Sequence, residues 1–400
     1  MSSGPDESGR GQLASFRRLL TPAGQALLAG LAPYEPGQAL QAAEAARRRG
    51  YDGALVSAAL TQSRLRARAH AKLGEQAARL YFTPDGLEQA TRAVVAARRA
   101  QRFAPFGVRR LVDLCCGIAG DLAHLAGAAE HAVGVDRDPL TCAVAEANLA
   151  VLGLADRVQV RRGEVEDLSL DGVDAVFVDP ARRSSRGRLF RPESSSPPYS
   201  FVLDLAARVP ATAAKLAPGI PHELLPPGAE AEWMSVDGDV LECALWFGPL
   251  ATAQRRATLL PTGDTLVGDG STPVPVGPVG RYLYEPDGAV IRAGLVADVA
   301  AGIGGRLLDA TIAYVSADRA AATPFATGYE VLDVLPFGLK RLRTLLRERH
   351  VGRLTVKKRG TAVEPETLRR QLRLSGPNEA TIVLTRVAGH QKVLLVAPLA

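Results

Sequence analysis

Asp113, Asp136, Glu164 and Asp179 each fall at or shortly after the end of a short apolar run. In a sheet of parallel strands these are the places that meet a ligand. The stretch Val112–Asp121 reads VDLCCGIAGD, a strand end running into a loop and a helix start. Gly117 and Gly120 let that loop turn tightly and come close to a ligand without a clashing Cβ. A helix beginning there aims free N–H groups at a carboxylate. Cys116, Ala119 and Asp121 complete the loop as candidate cofactor contacts. Asp113, at the strand end, can hold an ammonium group directly or through water. Asp136 follows at the spacing of an acid that accepts hydrogen bonds from ribose hydroxyls, with Arg137 beside it. That feature suits NAD equally well, and Asp136 could also be a simple helix cap before Asp138-Pro139. Glu164 can take the amino group of an adenine, and the Val165 N–H can reach a ring nitrogen. Asp179-Pro180-Ala181-Arg182 then emerges from the fourth strand, where a reacting group would lie.

The elements that must carry these residues follow from periodicity. Strands are expected at Arg109–Leu114, His131–Val135, Val158–Val160, Ala175–Val178 and Ala213–Ala217, with helices between them. That alternation implies a parallel sheet covered on both faces. Two closely spaced strands, Ala229–Val236 and Val240–Phe247, would close it as an antiparallel hairpin. Ahead of this core, residues 1–100 read as a helical region, the first ten or so disordered. Thr21-Pro22 and Thr83-Pro84 are helix starts. Leu87, Ala90, Val94 and Ala97 recur at helical spacing after Thr83. Arg64, Arg68 and Lys72 lie four apart, as a solvated face or a nucleic-acid contact. The core is expected to span 101–250. Residues 251–326, with many Gly and Pro, read as a linker and connecting segment. A last unit, 327–400, reads strand–helix–strand–helix–strand–strand.

Composition narrows the function classes. Hydrophobic residues make up 47% and charged residues 22%, normal for a globular chain with a core. No run is long and apolar enough to span a bilayer, and the N-terminus lacks a signal-peptide layout. A cytoplasmic protein is expected. Four cysteines (Cys115, Cys116, Cys142, Cys243) without C-x-x-C spacing, and histidines without H-x-x-x-H pairing, give no reason to expect a metal. A formal net charge of +6 favours a polyanionic partner, although a GC-rich genome would also enrich arginine.

From Val112 to Asp179 the chain resembles RNA methyltransferases, including the trimethylguanosine synthases. The shared features are Asp113-x-x-Cys116-Gly117, Val135-Asp136-x-Asp138-Pro139, and a helix carrying Asn148 followed by Gly153 and Arg157. From about Tyr81 to Pro398 it resembles bacterial class I methyltransferases with a C-terminal THUMP-like domain. That likeness includes Asp179-Pro180-Ala181-Arg182-Arg183, the strand pair around Trp233 and Trp246, and Lys357-Lys358-Arg359-Gly360. The resemblance implies a Rossmann-like seven-stranded core, S-adenosylmethionine as cofactor, and RNA as partner. It also marks a departure, since Ala119 stands where a third glycine is usual; a small side chain should still fit.

In nitrogen methyltransferases an Asn, Asp or Ser followed by Pro-Pro-aromatic holds the amine. Asp179-Pro180 stands at that position, but Ala181-Arg182 replaces Pro-aromatic. Arg182 and Arg183 could grip phosphate or stack on a base. Ser196-Pro197-Pro198-Tyr199 matches the pattern literally without following an apolar strand, and its Tyr199 is a candidate for stacking on the acceptor. Lys357, Lys358 and Arg359 are candidate phosphate contacts in the THUMP-like unit, with Lys340, Arg341, Arg343 and Arg347 on the helix before them. The bland alternative is a solvated face with Glu348, Glu364 and Glu366 nearby. Cys243 lies in the strand pair and Cys115 and Cys116 in the cofactor loop, which argues against a covalent carbon-5 mechanism. The leading expectation is an RNA base-nitrogen methyltransferase. Methylation of a protein or small molecule, or an RNA-binding protein with a vestigial pocket, are the alternatives. A dehydrogenase would leave Asp179-Pro180 without a role. The same features fit any oligomeric state.

Overall fold

Alanine- and leucine-rich runs at the start of the chain become helices α1 (Pro5–Leu19), α2 (Pro22–Gly30), α3 (Ala39–Arg48) and α4 (Gly53–Leu73). Thr21 and Asp52 cap α2 and α4 by accepting from the Gly24 and Ala54 N–H groups. The computed structural model describes residues 5–31, 33–182 and 192–399. It divides into two units, Met1–Leu216 with Leu245–Ala251, and Ala217–Ala244 with Thr252–Ala400.

One expected helix of the first unit is two. After Thr83 the chain forms α5 (Pro84–Gln89), leaves the helix over Ala90–Arg92, and restarts as α6 (Ala93–Phe103). The break has a physical cause. Lys72 Nζ donates to the carbonyls of Leu87 at 2.8 Å, Glu88 at 2.6 Å and Ala90 at 3.3 Å, satisfying the end of α5. Thr91, freed from helical geometry, turns into the interior. Lys72 is therefore not part of a solvated stripe with Arg64 and Arg68, which remain exposed.

The apolar runs that follow form β1 (Val108–Leu114), β2 (Ala129–Asp136), β3 (Val158–Arg162), β4 (Ala175–Val178) and β5 (Ala211–Leu216). They are parallel, in the order β5-β4-β1-β2-β3. Every residue of β4 is buried, as both-face coverage requires. The covering helices are α7 (Gly120–Leu125), α8 (Pro139–Val151) and α9 (Tyr199–Arg208). The strand order reverses between β1 and β4, so Asp113 and Asp179 leave the sheet on either side of the switch point.

A buried amide clamp ties the helical region to this core. Segment Tyr81–Phe82 runs between Gln62 of α4 and Asn148 of α8. Gln62 accepts from the Phe82 N–H at 3.0 Å and donates to its carbonyl at 2.6 Å. Asn148 accepts from the Tyr81 N–H at 2.7 Å and donates to the Tyr81 and Ile118 carbonyls, each at 3.0 Å. The side chains thus replace missing strand partners, and Asn148 also fixes the glycine loop. Replacing Asn148 by Ala leaves buried backbone groups unpaired. It is expected to destabilise the protein by about 2–4 kcal/mol in urea unfolding.

In the second unit β6 (Glu230–Val236) and β7 (Asp239–Trp246) turn at Asp237-Gly238, both with positive φ, the geometry of a tight type I′ hairpin. The last residues of β7 belong to the first unit, where the Phe247 N–H donates to the Thr212 carbonyl at 2.9 Å. Residues 251–326 are not a linker. They supply β8 (Arg255–Leu260), parallel to β6, and its antiparallel partner β9 (Asp264–Gly268). They also form β10 (Tyr282–Pro286), α10 (Gly288–Ala293), α11 (Val296–Gly302), β11 (Arg306–Asp309) and β12 (Ile312–Ala317). Leu283, Tyr284, Val290 and Tyr314 are fully buried, and Leu283 and Tyr314 share a core with Tyr329, Val383 and Leu394 of the following elements. The remaining elements are β13 (Ala326–Pro336), α12 (Leu339–Glu348), β14 (Val351–Lys358), α13 (Pro365–Leu372), β15 (Asn378–Val387) and β16 (His390–Pro398). Their order is the expected one, but they share a single sheet with the preceding strands, β11-β12-β10-β13-β16-β15-β14. Leu342 and Leu346 of α12 pack on Val351, Leu354, Leu368 and Leu372.

Candidate active site

The glycine loop is shaped by the strand below it. Gly134 of β2 lies opposite Asp113. A Cβ at Gly134 would stand 2.4 Å from Leu122 and 2.8 Å from the Cys116 sulfur, so only glycine lets α7 and the loop settle on the sheet. Cys116 is thereby a packing residue, and burial pushes its thiol well above the ordinary range. Gly117 has φ +55°, and a side chain at Gly117 or Gly120 would meet no protein atom. The open space before both is what a closely approaching ligand would fill. Ala119 also sits in the left-handed region, φ +68° and ψ 28°, at the cap of α7. A residue with a Cβ takes that conformation only with strain.

Asp113 is 1% exposed, and neither carboxylate oxygen has a hydrogen-bond partner among the described residues. Burial, and then the nearby Asp179, push its pKa well above the carboxylate range. A buried, unpartnered acid at a strand end is what an incoming ammonium group would satisfy. Asp136 is held differently. One oxygen accepts from the Gly117 N–H at 3.1 Å and the other from the Asp138 N–H at 3.0 Å. Burial raises its pKa despite those two bonds. Each oxygen keeps a further lone pair for a ribose hydroxyl. Arg137 is exposed, as is Glu164, while Val165 is buried at the start of a short 3-10 turn after β3.

The structure gives Asp121 a different employment from the one read in the sequence. Its carboxylate forms an ion pair with the fully buried Arg99 of α6 and accepts from the Thr91 hydroxyl at 2.6 Å. Arg99 in turn stacks 4.4 Å from the Phe177 ring centre. Two buried groups already hold this acid, so it shapes the site from behind the loop.

Asp179 and Pro180 follow β4, with Pro180 buried. Asp179 is paired with a residue that sequence reading missed. Lys215 Nζ of β5 donates to Asp179 Oδ2 at 2.7 Å and to Thr91 Oγ1 at 3.0 Å. The available signal was a lysine, the one charged residue of the strand Ala211–Leu216, at the carboxyl end of the sheet. The two rival motif readings also meet here. Ala181 and Arg182 pair antiparallel with Ser196 and Ser195, which brings Pro197-Pro198-Tyr199 back beside Asp179-Pro180. Tyr199 is 6% exposed at the start of α9. Arg183 lies outside the described residues.

The three cations of the basic cluster in the second unit share two carboxylates. Lys357 donates to Glu285 at 2.6 Å, and Arg359 reaches the same carboxylate at 3.5 Å. Lys358 donates to Glu364 at 2.7 Å. Burial alone would lower the Lys357 pKa, but the bonds to Glu285 and Tyr329 raise it. Sequence reading foresaw the Glu364 contact and missed Glu285, which is 72 residues away from Lys357 in the chain.

An uncharacterised S-adenosylmethionine-dependent methyltransferase of Mycobacterium tuberculosis is 39% identical over 333 residues, spanning 81% of this chain and 90% of the relative. This chain belongs to that family of methyltransferases. The family described as RNA cap guanine-N2 methyltransferase matches residues 108–189 of the methyltransferase, and the THUMP domain-like family matches 326–398. A family described only as a domain of unknown function matches 12–69. The crystal structure of a putative methyltransferase from Porphyromonas gingivalis W83 superposes with a TM-score of 0.78 at 23% identity, covering 100% of both chains, a likeness of fold. The methyltransferase therefore depends on S-adenosylmethionine and has the α/β Rossmann-like core with a C-terminal THUMP-like domain. No helix among the described residues is long and apolar enough to cross a membrane.

Proposed function

We propose that this methyltransferase modifies a base nitrogen in RNA. The observation that supports this most is Asp179 at the carboxyl end of β4, with one carboxylate oxygen free of partners among the described residues and Pro197-Pro198-Tyr199 folded back beside it. An amine donating to that oxygen is held while its lone pair faces the methyl group. Transfer to an already activated carbon needs little beyond such alignment and a route for the proton to leave. The matches to RNA cap guanine-N2 methyltransferase and THUMP domain-like families favour RNA over a protein or metabolite.

For the cofactor, the assignment is Asp113 to the ammonium, the N–H groups of the Gly117–Gly120 loop to the carboxylate, Asp136 to the ribose hydroxyls, and Glu164 with the Val165 N–H to the adenine. S-adenosylmethionine supplies the activated methyl group. Asp136→Ala removes both the ribose contact and the brace on Gly117. It is expected to weaken S-adenosylhomocysteine binding by roughly 10- to 100-fold in calorimetry; equal affinity would refute the ribose assignment. Lys358, whose partner Glu364 is largely exposed, is the member of its cluster most readily exchanged for a phosphate.

The deciding experiment uses methyl-tritiated S-adenosylmethionine with total RNA from a strain lacking the gene, and Asp179→Ala as control. RNase-sensitive label that disappears with the variant supports the reading. Label in protein, or in no macromolecule, overturns it.

A further inference from the structure

The Asp179–Lys215 pair sits awkwardly with the chemistry proposed for it, and this is informative. As a nitrogen acquires a methyl group it gains positive charge, which the Asp179 carboxylate favours and the Lys215 ammonium opposes. A lysine here works against the transfer step unless it does something for the bound acceptor. Its surroundings indicate what that is. An ammonium has three donors. One goes to Asp179 at 2.7 Å and one to Thr91 at 3.0 Å. The third has no partner among the described residues, and neither has the second oxygen of Asp179. The Thr91 hydroxyl donates its proton to Asp121, so it faces Lys215 as an acceptor and fixes where the ammonium lies. Asp121 is itself held by Arg99. The side chains of Lys215 and Asp179 are 18% and 30% exposed, so a free donor and a free acceptor stand side by side and open to an approaching molecule.

We propose that Lys215 and Asp179 together read an amidine edge of a nucleobase, with the exocyclic amine donating to Asp179 and the adjacent unprotonated ring nitrogen accepting from Lys215. This rests on the base-nitrogen reading above and narrows it. The amine with its neighbouring ring nitrogen in adenine, in cytosine, or on the N3 side of guanine presents the required donor beside a lone pair. The N1 side of guanine presents two donors and meets Lys215 with a clash of protons. Uracil has no amine to offer. A donor left facing the wrong group once the base has covered it is a strong basis for rejection. The role given to Lys215 is recognition: it touches the acceptor but not the methyl group. A protein carboxamide carries a similar donor and acceptor, and the experiment must separate it from a base.

The test compares wild type, Lys215→Met and Asp179→Ala. S-adenosylhomocysteine affinity is measured by calorimetry, and single-turnover transfer is measured on RNA with tritiated cofactor, followed by nucleoside digestion. Lys215→Met is expected to bind S-adenosylhomocysteine within about threefold of wild type, which shows an intact fold. Its transfer should fall by about 100-fold or more. The product should be a base methylated on an exocyclic amine. A synthetic RNA whose target ring nitrogen is replaced by C–H should slow wild type to a similar degree and leave Lys215→Met unaffected. A purely structural lysine would not show that coupling. Equal losses on the replaced base for both proteins, an unchanged rate for Lys215→Met, or a methyl group on a ring nitrogen, carbon or ribose overturns the edge reading. Label on a protein amide overturns it as well. Persisting transfer by Asp179→Ala instead overturns the base-nitrogen reading, so the two failures are distinguishable.

Discussion

Asp113→Ala is expected to raise the dissociation constant for S-adenosylhomocysteine by roughly 100-fold or more, without loss of stability in the ligand-free protein. The first effect follows from the ammonium role proposed for Asp113, whose loss would cost about 3–5 kcal/mol. The second follows from the isolation of the acid. Its oxygens make no hydrogen bond among the described residues, and burial and Asp179 raise its pKa. The linkage has a definite sign. Between the ordinary carboxylate pKa, about 3.9, and the raised one, the folded protein keeps a proton that the unfolded chain has released. The contribution of Asp113 to stability therefore falls as pH rises through that window. Cofactor binding works in the opposite sense. An ammonium favours the ionised acid, so binding releases a proton and tightens with rising pH until Asp113 is ionised in the free protein. Calorimetry in buffers of different ionisation enthalpy reads this proton release directly. Asp113→Asn should abolish the pH dependence. Wild-type binding with no proton release across the window would remove Asp113 from the ammonium site.

Asp179→Ala is expected to reduce methyl transfer by about 1000-fold while S-adenosylhomocysteine affinity changes by less than about threefold. The split distinguishes the acceptor end of the site from the cofactor end. Asp179 lies across the switch point from Asp113, and its carboxylate accepts from Lys215 of β5. The stability change should be small. The pair it forms with Lys215 is partly exposed, and solvent screens such pairs to about 1 kcal/mol or less. Stopped-assay kinetics with thermal unfolding as control would check both parts. A variant that loses cofactor affinity as strongly as activity would mean that Asp179 belongs to the cofactor pocket and not to the acceptor.

Local patterns were legible wherever local energetics decide. The strands carrying Asp113, Asp136 and Asp179 announce themselves as short apolar runs, and the glycine loop by residues that can turn without a side chain. The Thr21 and Thr83 caps read directly, because a hydroxyl three residues before an N–H is a local hydrogen bond. Residues 251–326 misled because Gly and Pro are concentrated in 261–280. The flanking strands hold a modest apolar alternation that gains meaning only once it is paired.

From the sequence alone the order of strands was legible over 108–216 and 327–400, together with the candidate cofactor loop and the acids at or after the first four strands of the core. Tertiary structure decided which acid is free. Asp121 and Asp113 look equally available in the chain. Arg99 pairs with Asp121 and Thr91 donates to it, while the sheet buries Asp113 without a hydrogen-bond partner among the described residues. It decided that Lys215 stands against Asp179, 36 residues apart, and that Lys357 and Arg359 share the carboxylate of Glu285. It also decided that Pro197-Pro198-Tyr199 returns to Asp179-Pro180. The reason is common to all of these. Side-chain type and spacing fix local backbone preference, whereas the electrostatics of a buried charge depend on groups that only the packed sheet brings within hydrogen-bond reach.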